Sequence, residues 1–449
     1  MSGKIIQQPF FRREVLAHIL KLAWPAILEQ IMIMMGGIVV TIFLGRYGTN
    51  ELAAAGLVNM IMVVLQTAFA GLATGATVVI ARMIGEGDRR GARDALFQSM
   101  ILALGLSLVI TLLTWLSSDA LLTFFFRDIG PEVQDLAAIY IRYMLISLPF
   151  LTLDLTVTAA MRGAGDTFTP MAVTGTGSAI NIILCALLVN RLGMSGAGIA
   201  LCTSRIAACL LRLLMVFLRK KRIYLSFAEK YHLDPELIKR IYRQGMPAFL
   251  EQLIMQSGFL MMNSILAYLG ATVLASWQVG ANMNSLASMP VFGLAIATTT
   301  CVGQALGSGR LDDARSYAKE ALRLAIVLIS ALGILAAALA RPLASLYSTD
   351  PAVIENGIVL IRFFLLTEPL IAIITVNAGV LRAGGDIAYV TASSLTGLWL
   401  FRIVIAMVLV YKFQLGIYGV MAGILIDYIV RTALYWRRVL RGRWLYRVV

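Results

Sequence analysis

From Leu102 to Leu116 the chain reads LALGLSLVITLLTWL, with no charged residue and no face on which polar side chains collect. A helix of about 20 apolar residues crosses the hydrocarbon core of a bilayer, and runs of this kind recur throughout the 449-residue sequence. Few folds accommodate that. In hydrocarbon every backbone N–H and C=O needs an internal partner, which restricts a spanning chain to helices or a closed barrel. A barrel would show short segments alternating polar and apolar, and the sequence lacks them. A soluble domain carries about 25% charged residues; here 14% are charged and 59% hydrophobic, with a mean hydropathy of +0.84. The expected class is an all-α polytopic membrane protein with the lipid bilayer as its solvent.

Apolar runs divided by charge or glycine clusters predict twelve transmembrane helices, at about 16–45, 52–83, 95–117, 135–161, 168–190, 195–218, 237–268, 274–306, 318–346, 353–381, 388–411 and 416–437. The formal net charge of +14 does not point to nucleic acid, because Lys and Arg gather at span ends. Roughly 29 of the 38 basic residues fall at the N-terminus, the even-numbered loops and the C-terminus; the odd loops hold Arg46, Arg127, Arg191, Arg341 and Lys412. Positive-inside bias then places both termini in the cytoplasm of a multi-pass protein of the cell inner (plasma) membrane. MSGKIIQQPFFRREVL at the N-terminus lacks a signal-peptide pattern, so the first span is expected to stay as an anchor. Cys185, Cys202, Cys209 and Cys301 lie in apolar runs without metal-ligand spacing.

PAILEQ at Pro25–Gln30 returns as PAFLEQ at Pro247–Gln252, 222 positions on. At that offset Gly48 meets Gly270, Gly71 meets Gly293, Gly87 meets Gly309 and Arg93 meets Arg315. The offset becomes 220 around helices four and ten, where Pro149 meets Pro369 and Arg162 meets Arg382, and 223 for Gly193 and Gly416. A register kept this long marks a tandem duplication of a six-helix unit. The predicted domains are an N-lobe (1–218), a cytoplasmic linker (219–236) and a C-lobe (237–449). Six spans per unit give both copies the same orientation, so the two six-helix bundles are expected to be related by pseudo-two-fold symmetry along the membrane normal, with a cavity between them.

A carboxylate inside a bilayer is costly and marks function by default. Asp135, Glu320 and Glu355 are placed in the first turns of their spans, and Glu51 in that of the second helix with Asn50 as its N-cap, where solvation is the simpler reading. Glu29, Asp154, Glu251, Glu368 and Asp427 remain. Glu251 follows Pro247 by one turn and Glu368 immediately precedes Pro369. Proline frees a carbonyl, and a freed carbonyl beside a carboxylate forms a hard-oxygen pocket for a small monovalent cation or a proton. Asp427, four residues before Arg431, reads as an intrahelical ion pair. Asn181, Gln252, Gln256, Gln278 and Asn282 are further polar candidates within spans. GEGDRRGAR and GSGRLDDAR (Gly85–Arg93, Gly307–Arg315) lack the strand and the Lys-Ser/Thr ending of a phosphate loop, so no ATP site is expected. His18 and His232 have no neighbours suited to catalysis or metal binding. Met-rich stretches such as IMIMM (Ile31–Met35) would suit a promiscuous apolar substrate if they lined a cavity.

The paired PAxLEQ openings, ARMIGEGDRRGAR with VGQALGSGRLDDAR, and MRGAGD with LRAGGD resemble those of the multidrug and toxic compound extrusion family, in its bacterial NorM/DinF neighbourhood. The resemblance covers essentially all twelve spans. It implies a secondary antiporter, monomeric and without a cofactor beyond its coupling ion, that expels small amphipathic or cationic drug-like compounds against Na⁺ or H⁺ entry. The family's acidic positions in helices seven and ten fall on Glu251 and Glu368. Two acidic positions of its N-lobe site are neutral here, Val40 and Cys185, which shifts the expected coupling toward Glu251 and Glu368, or toward Glu29 or Asp154 as substitutes. A flippase for lipid-linked precursors, of similar architecture, is the alternative. It would need a strongly basic cavity, whereas Arg142, Arg205, Arg362 and Arg402 lie within spans in the company of acids.

Overall fold

The computed structural model describes residues 13–118, 130–218, 223–226, 229, 231–348 and 350–447. The first twelve residues, Arg127 and the RKKR run of the linker (219–222) lie outside the described residues. Among the described residues twelve long helices follow in order: α1 (Arg13–Tyr47), α2 (Thr49–Glu86), α3 (Arg89–Leu116), α4 (Pro131–Gly163), α5 (168–192), α6 (194–218), α7 (Pro235–Tyr268), α8 (Ala271–Gly307), α9 (Leu311–Ala338), α10 (Pro351–Ala383), α11 (Ile387–Lys412) and α12 (Gly416–Leu440). α5 and α6 form one continuous stretch, Phe168–Leu218, of 51 residues. Straight, it would reach about 77 Å, far beyond a bilayer. Gly193, at φ 55 and ψ −128, breaks it into two spans. α7 is the least apolar of the twelve because its first turns carry Lys239, Arg240 and Arg243.

Two boundaries change the reading of particular residues. α9 begins at Leu311, earlier than its apolar run, so Glu320 lies in its third turn, buried and paired to Arg323 Nη1 at 3.1 Å. The reading of Glu320 as a solvated first-turn residue is thereby overturned. α2 starts at Thr49, so Asn50 is not its N-cap; Asn50 Nδ2 instead donates to Glu132 Oε2 at 2.9 Å.

The duplication is written into the backbone. Gly87 and Gly309 close α2 and α8 with φ of 82° and 72°, and Gly193 and Gly416 both sit at φ 55°, left-handed values that other residues reach only with strain. α2 packs most extensively on α4, and α8 on the equivalent α10. Thr77 Oγ1 donates to Ala159 O at 3.0 Å and its equivalent Thr299 Oγ1 to Gly379 O at 3.2 Å.

The compact units do not coincide with the repeats. One unit is Leu28–Ser257; the other joins Met1–Ile27 to Gly258–Val448. α1 and α7 therefore each run from one unit into the other. In the second unit Ile19, Leu22 and Ala23 of α1 join a core with Val291, Leu294, Ala325 and Ala372. In the first, α7 lies backbone-to-backbone on α2: a Cβ on Gly75 would stand 2.6 Å from Gly245 N and 2.7 Å from Ile241 O. Gly75→Ala is expected to cost about 1–3 kcal/mol, because backbone cannot step aside as a side chain can. Gly56→Ala, which meets open space, should cost nothing in the same thermal unfolding measurement.

Candidate functional site

In the Leu28–Ser257 unit, Glu29 of α1 is 2% exposed and takes two donors: Arg162 Nη2 at 2.6 Å and Thr174 Oγ1 at 3.0 Å. Thr174 Oγ1 accepts in turn from Arg212 Nη2 at 2.9 Å, which also donates to Pro170 O at 3.1 Å. Arg212 Nη1 pairs with the carboxylate of Asp154 and reaches its backbone carbonyl. Two acids and two guanidiniums thus form one chain across α1, α4, α5 and α6. The network is charge-balanced without any added ion, as burial requires. Asn181 lies apart from it, its Nδ2 donating to Ser204 Oγ at 3.1 Å while Cys185 Sγ donates weakly to its Oδ1. Glu251 is buried in the same unit at 6% exposed, and Gln252 and Gln256 are half-buried, Gln256 Nε2 donating to Thr67 Oγ1 at 3.3 Å.

In the other unit Asp427 is fully buried and clamped from two sides. Arg431 donates Nε and Nη2 at 2.6 and 2.7 Å, and Arg402 donates Nε at 2.8 Å. The expected intrahelical pair is present, and α11 adds a second cation. Arg402 closes a π-helical stretch, Thr396–Ile403, that brings it onto Asp427. Gly397 allows the approach, since a Cβ there would meet Asp427 Oδ1 at 2.3 Å.

Glu368 on α10 differs from all of these. It is 1% exposed, and among the described residues no Lys or Arg pairs with it. Ser288 Oγ of α8 stands 3.5 Å from its Oε2, at the long limit of a hydrogen bond. It opens on a cleft with room for about one water molecule, walled by Met283, Asn284, Ala287, Phe364 and Leu365. Asn284 Oδ1 is buried there without a hydrogen-bond partner. Pro369 has no N–H to offer Leu365, whose carbonyl loses its helical donor. Gln278 and Asn282, on the same helix as Asn284, are exposed and do not line this cleft. Glu251 and Glu368 belong to different compact units.

The MatE family pattern matches residues 25–187 and again 247–408, two copies that begin at Pro25 and Pro247. The chain belongs to the MatE family. It is a multi-pass membrane transporter, not an enzyme. It is 30% identical to the probable multidrug resistance protein NorM of Thermotoga maritima, with 97% of this chain and 94% of that protein covered. It is 26% identical to the multidrug resistance protein MdtK of Pectobacterium atrosepticum, over 82% and 83% of the two chains. Its fold matches an outward-facing multidrug resistance MATE family transporter with a TM-score of 0.90 at 23% identity, covering 97% of each chain.

Within this MatE protein Val40 and Cys185 are buried in one apolar cluster with Leu44, Ile141, Met144 and Val189. The polar atom beside Cys185 is Asn181 Oδ1, an acceptor that would not stabilise a carboxylate. Cys185→Asp is therefore expected to lower thermal stability by about 3 kcal/mol, the cost of an unpaired buried acid, and to add no cation dependence to transport. Arg212 was the residue most visible in hindsight: a lone guanidinium in CLLRLLMVFL signals a buried partner. Ser288 and Asn284 carry no such signal, since serines and asparagines recur along α8.

Proposed function

We propose that this protein is a secondary multidrug efflux antiporter, exporting amphipathic or cationic compounds in exchange for Na⁺ or H⁺ by alternating access. The names of the NorM and MdtK relatives support the cargo class. Glu368 carries the coupling: it is a buried carboxylate that meets no guanidinium among the described residues, beside a small cleft with oxygen atoms on its walls. One carboxylate matches one positive charge, which suits a proton or a monovalent ion better than a divalent metal. Ionised in apolar surroundings it is unfavourable by about 3 kcal/mol, so a cation that neutralises it can bias which state of the protein is populated. Glu251, buried in the other unit, is the second coupling carboxylate, while Glu29, Asp154 and Asp427 are held by arginine and serve structure. A flippase is less well supported: of the four span arginines Arg402 is engaged by Asp427, Arg205 donates to Ser147 Oγ at 3.0 Å, and Arg142 and Arg362 are exposed, while Arg162, Arg212 and Arg431 are held by carboxylates. We place the protein in the inner membrane as a monomer, with both termini cytoplasmic.

Purified protein in liposomes, loaded with a fluorescent cationic dye and given an imposed Na⁺ or pH gradient, tests this reading. Dye movement should follow one of the two gradients. Movement indifferent to both would reject coupled antiport.

A further inference from the structure

The C-terminal end of α12 carries a charged surface that transport as proposed does not use. Gly442, at φ 67, turns the chain after Leu440, and a short 3-10 turn, Arg443–Leu445, folds back on the α10–α11 loop. There Trp444 is 2% exposed and lies against Gly384, where a Cβ would meet Trp444 O at 2.8 Å. Arg438 Nε donates to Asp386 Oδ2 at 2.6 Å, and Arg447 closes on the other oxygen of the same carboxylate. This clasp holds the tail rigidly and uses up the local acid.

It leaves three arginines outward. Arg437, Arg441 and Arg443 are exposed, and none pairs with a carboxylate among the described residues. Trp436 and Leu440 share their helix face, one turn apart, at 44% and 70% exposed, and Tyr446 beyond the turn is 70% exposed. An aromatic and aliphatic face flanked by unpaired guanidiniums, at the end of a membrane span, has the chemistry of a headgroup-level surface: rings for the interface, arginines for phosphate. Three exposed positive charges have their complement in a negatively charged leaflet.

We propose that the face formed by Trp436, Arg437, Leu440, Arg441, Arg443 and Tyr446 binds anionic phospholipid headgroups of the leaflet it meets. The clasp on Asp386 presents this face as a preformed surface, so binding orders little additional chain.

Spin-labelled phosphatidylglycerol and spin-labelled phosphatidylcholine, each added in trace to the full-length protein in phosphatidylcholine nanodiscs, measure the relative association directly. Wild type should favour phosphatidylglycerol by about tenfold at low salt, a preference that shrinks in 0.5 M NaCl as screening shortens the reach of the charges. R437Q/R441Q/R443Q should bring the ratio close to one, while R437K/R441K/R443K should keep most of it. Trp444 and Asp386 are untouched, so thermal unfolding of both variants should match wild type. A wild-type ratio near one, a Gln variant that retains the preference, or a Lys variant that loses it would each overturn the proposal.

Discussion

Glu368→Gln should reduce gradient-stimulated transport on the order of 100-fold, toward the rate seen without a gradient, a loss at the upper end of typical coupling free energies. The substitution keeps the volume and a hydrogen-bonding group opposite Ser288 Oγ, but it removes the one chemical change the cleft is built around, gain and loss of a positive charge. Stability should move the other way. A neutral amide in an apolar cleft avoids the cost of the ionised acid, so apparent thermal stability should hold or rise. That pairing separates a coupling role from a structural one, since a structural carboxylate would lose stability when replaced. Dye efflux in proteoliposomes and thermal unfolding in detergent measure the two quantities on the same preparation. Full coupling in the variant would remove Glu368 from the mechanism.

Arg212→Met should lower stability by about 3–5 kcal/mol, the range for breaking a buried ion pair from one side. Arg212 is 1% exposed and donates to four acceptors: the Asp154 carboxylate, the Asp154 carbonyl, Pro170 O and Thr174 Oγ1. Met fills similar space but leaves Asp154 charged and unaccompanied in the membrane. Asp154→Asn added to Arg212→Met removes that charge and should recover a large part of the loss, the non-additivity expected of residues in contact. Recovery will stay incomplete because Pro170 O and Thr174 Oγ1 still lack their donor. Thermal unfolding of the two single variants and the double provides the cycle, and Arg212→Met within about 1 kcal/mol of wild type would show that the network does not hold the unit together.

Much of the fold was readable in the linear chain. The twelve apolar runs mark twelve helices, though helix ends such as the start of α9 extend past them, because a helix continues beyond its apolar run on hydrogen bonding alone. Glu320 was misplaced for that reason. The break at Gly193 was visible through its partner Gly416, since a glycine kept at the same place in both repeats needs a backbone reason. The site was readable only in part. Pro369 beside Glu368 and Arg431 four residues after Asp427 were local signals that set those two acids apart, whereas nothing local showed that Glu29 and Asp154 are tied to arginine and that, among the described residues, Glu368 is not.

Composition, spacing and the offset repeat settled the class of protein, the number of spans and the duplication, because length, apolarity and register are properties of the chain read one residue after another. The pairing of charges was decided only when the helices packed. Arg212 lies 58 positions from Asp154 and Arg402 lies 25 from Asp427, separations that no local pattern relates. Packing likewise made α1 and α7 run from one compact unit into the other, since which bundle a helix half joins depends on close contacts such as Gly75 on Gly245 rather than on the order of the spans.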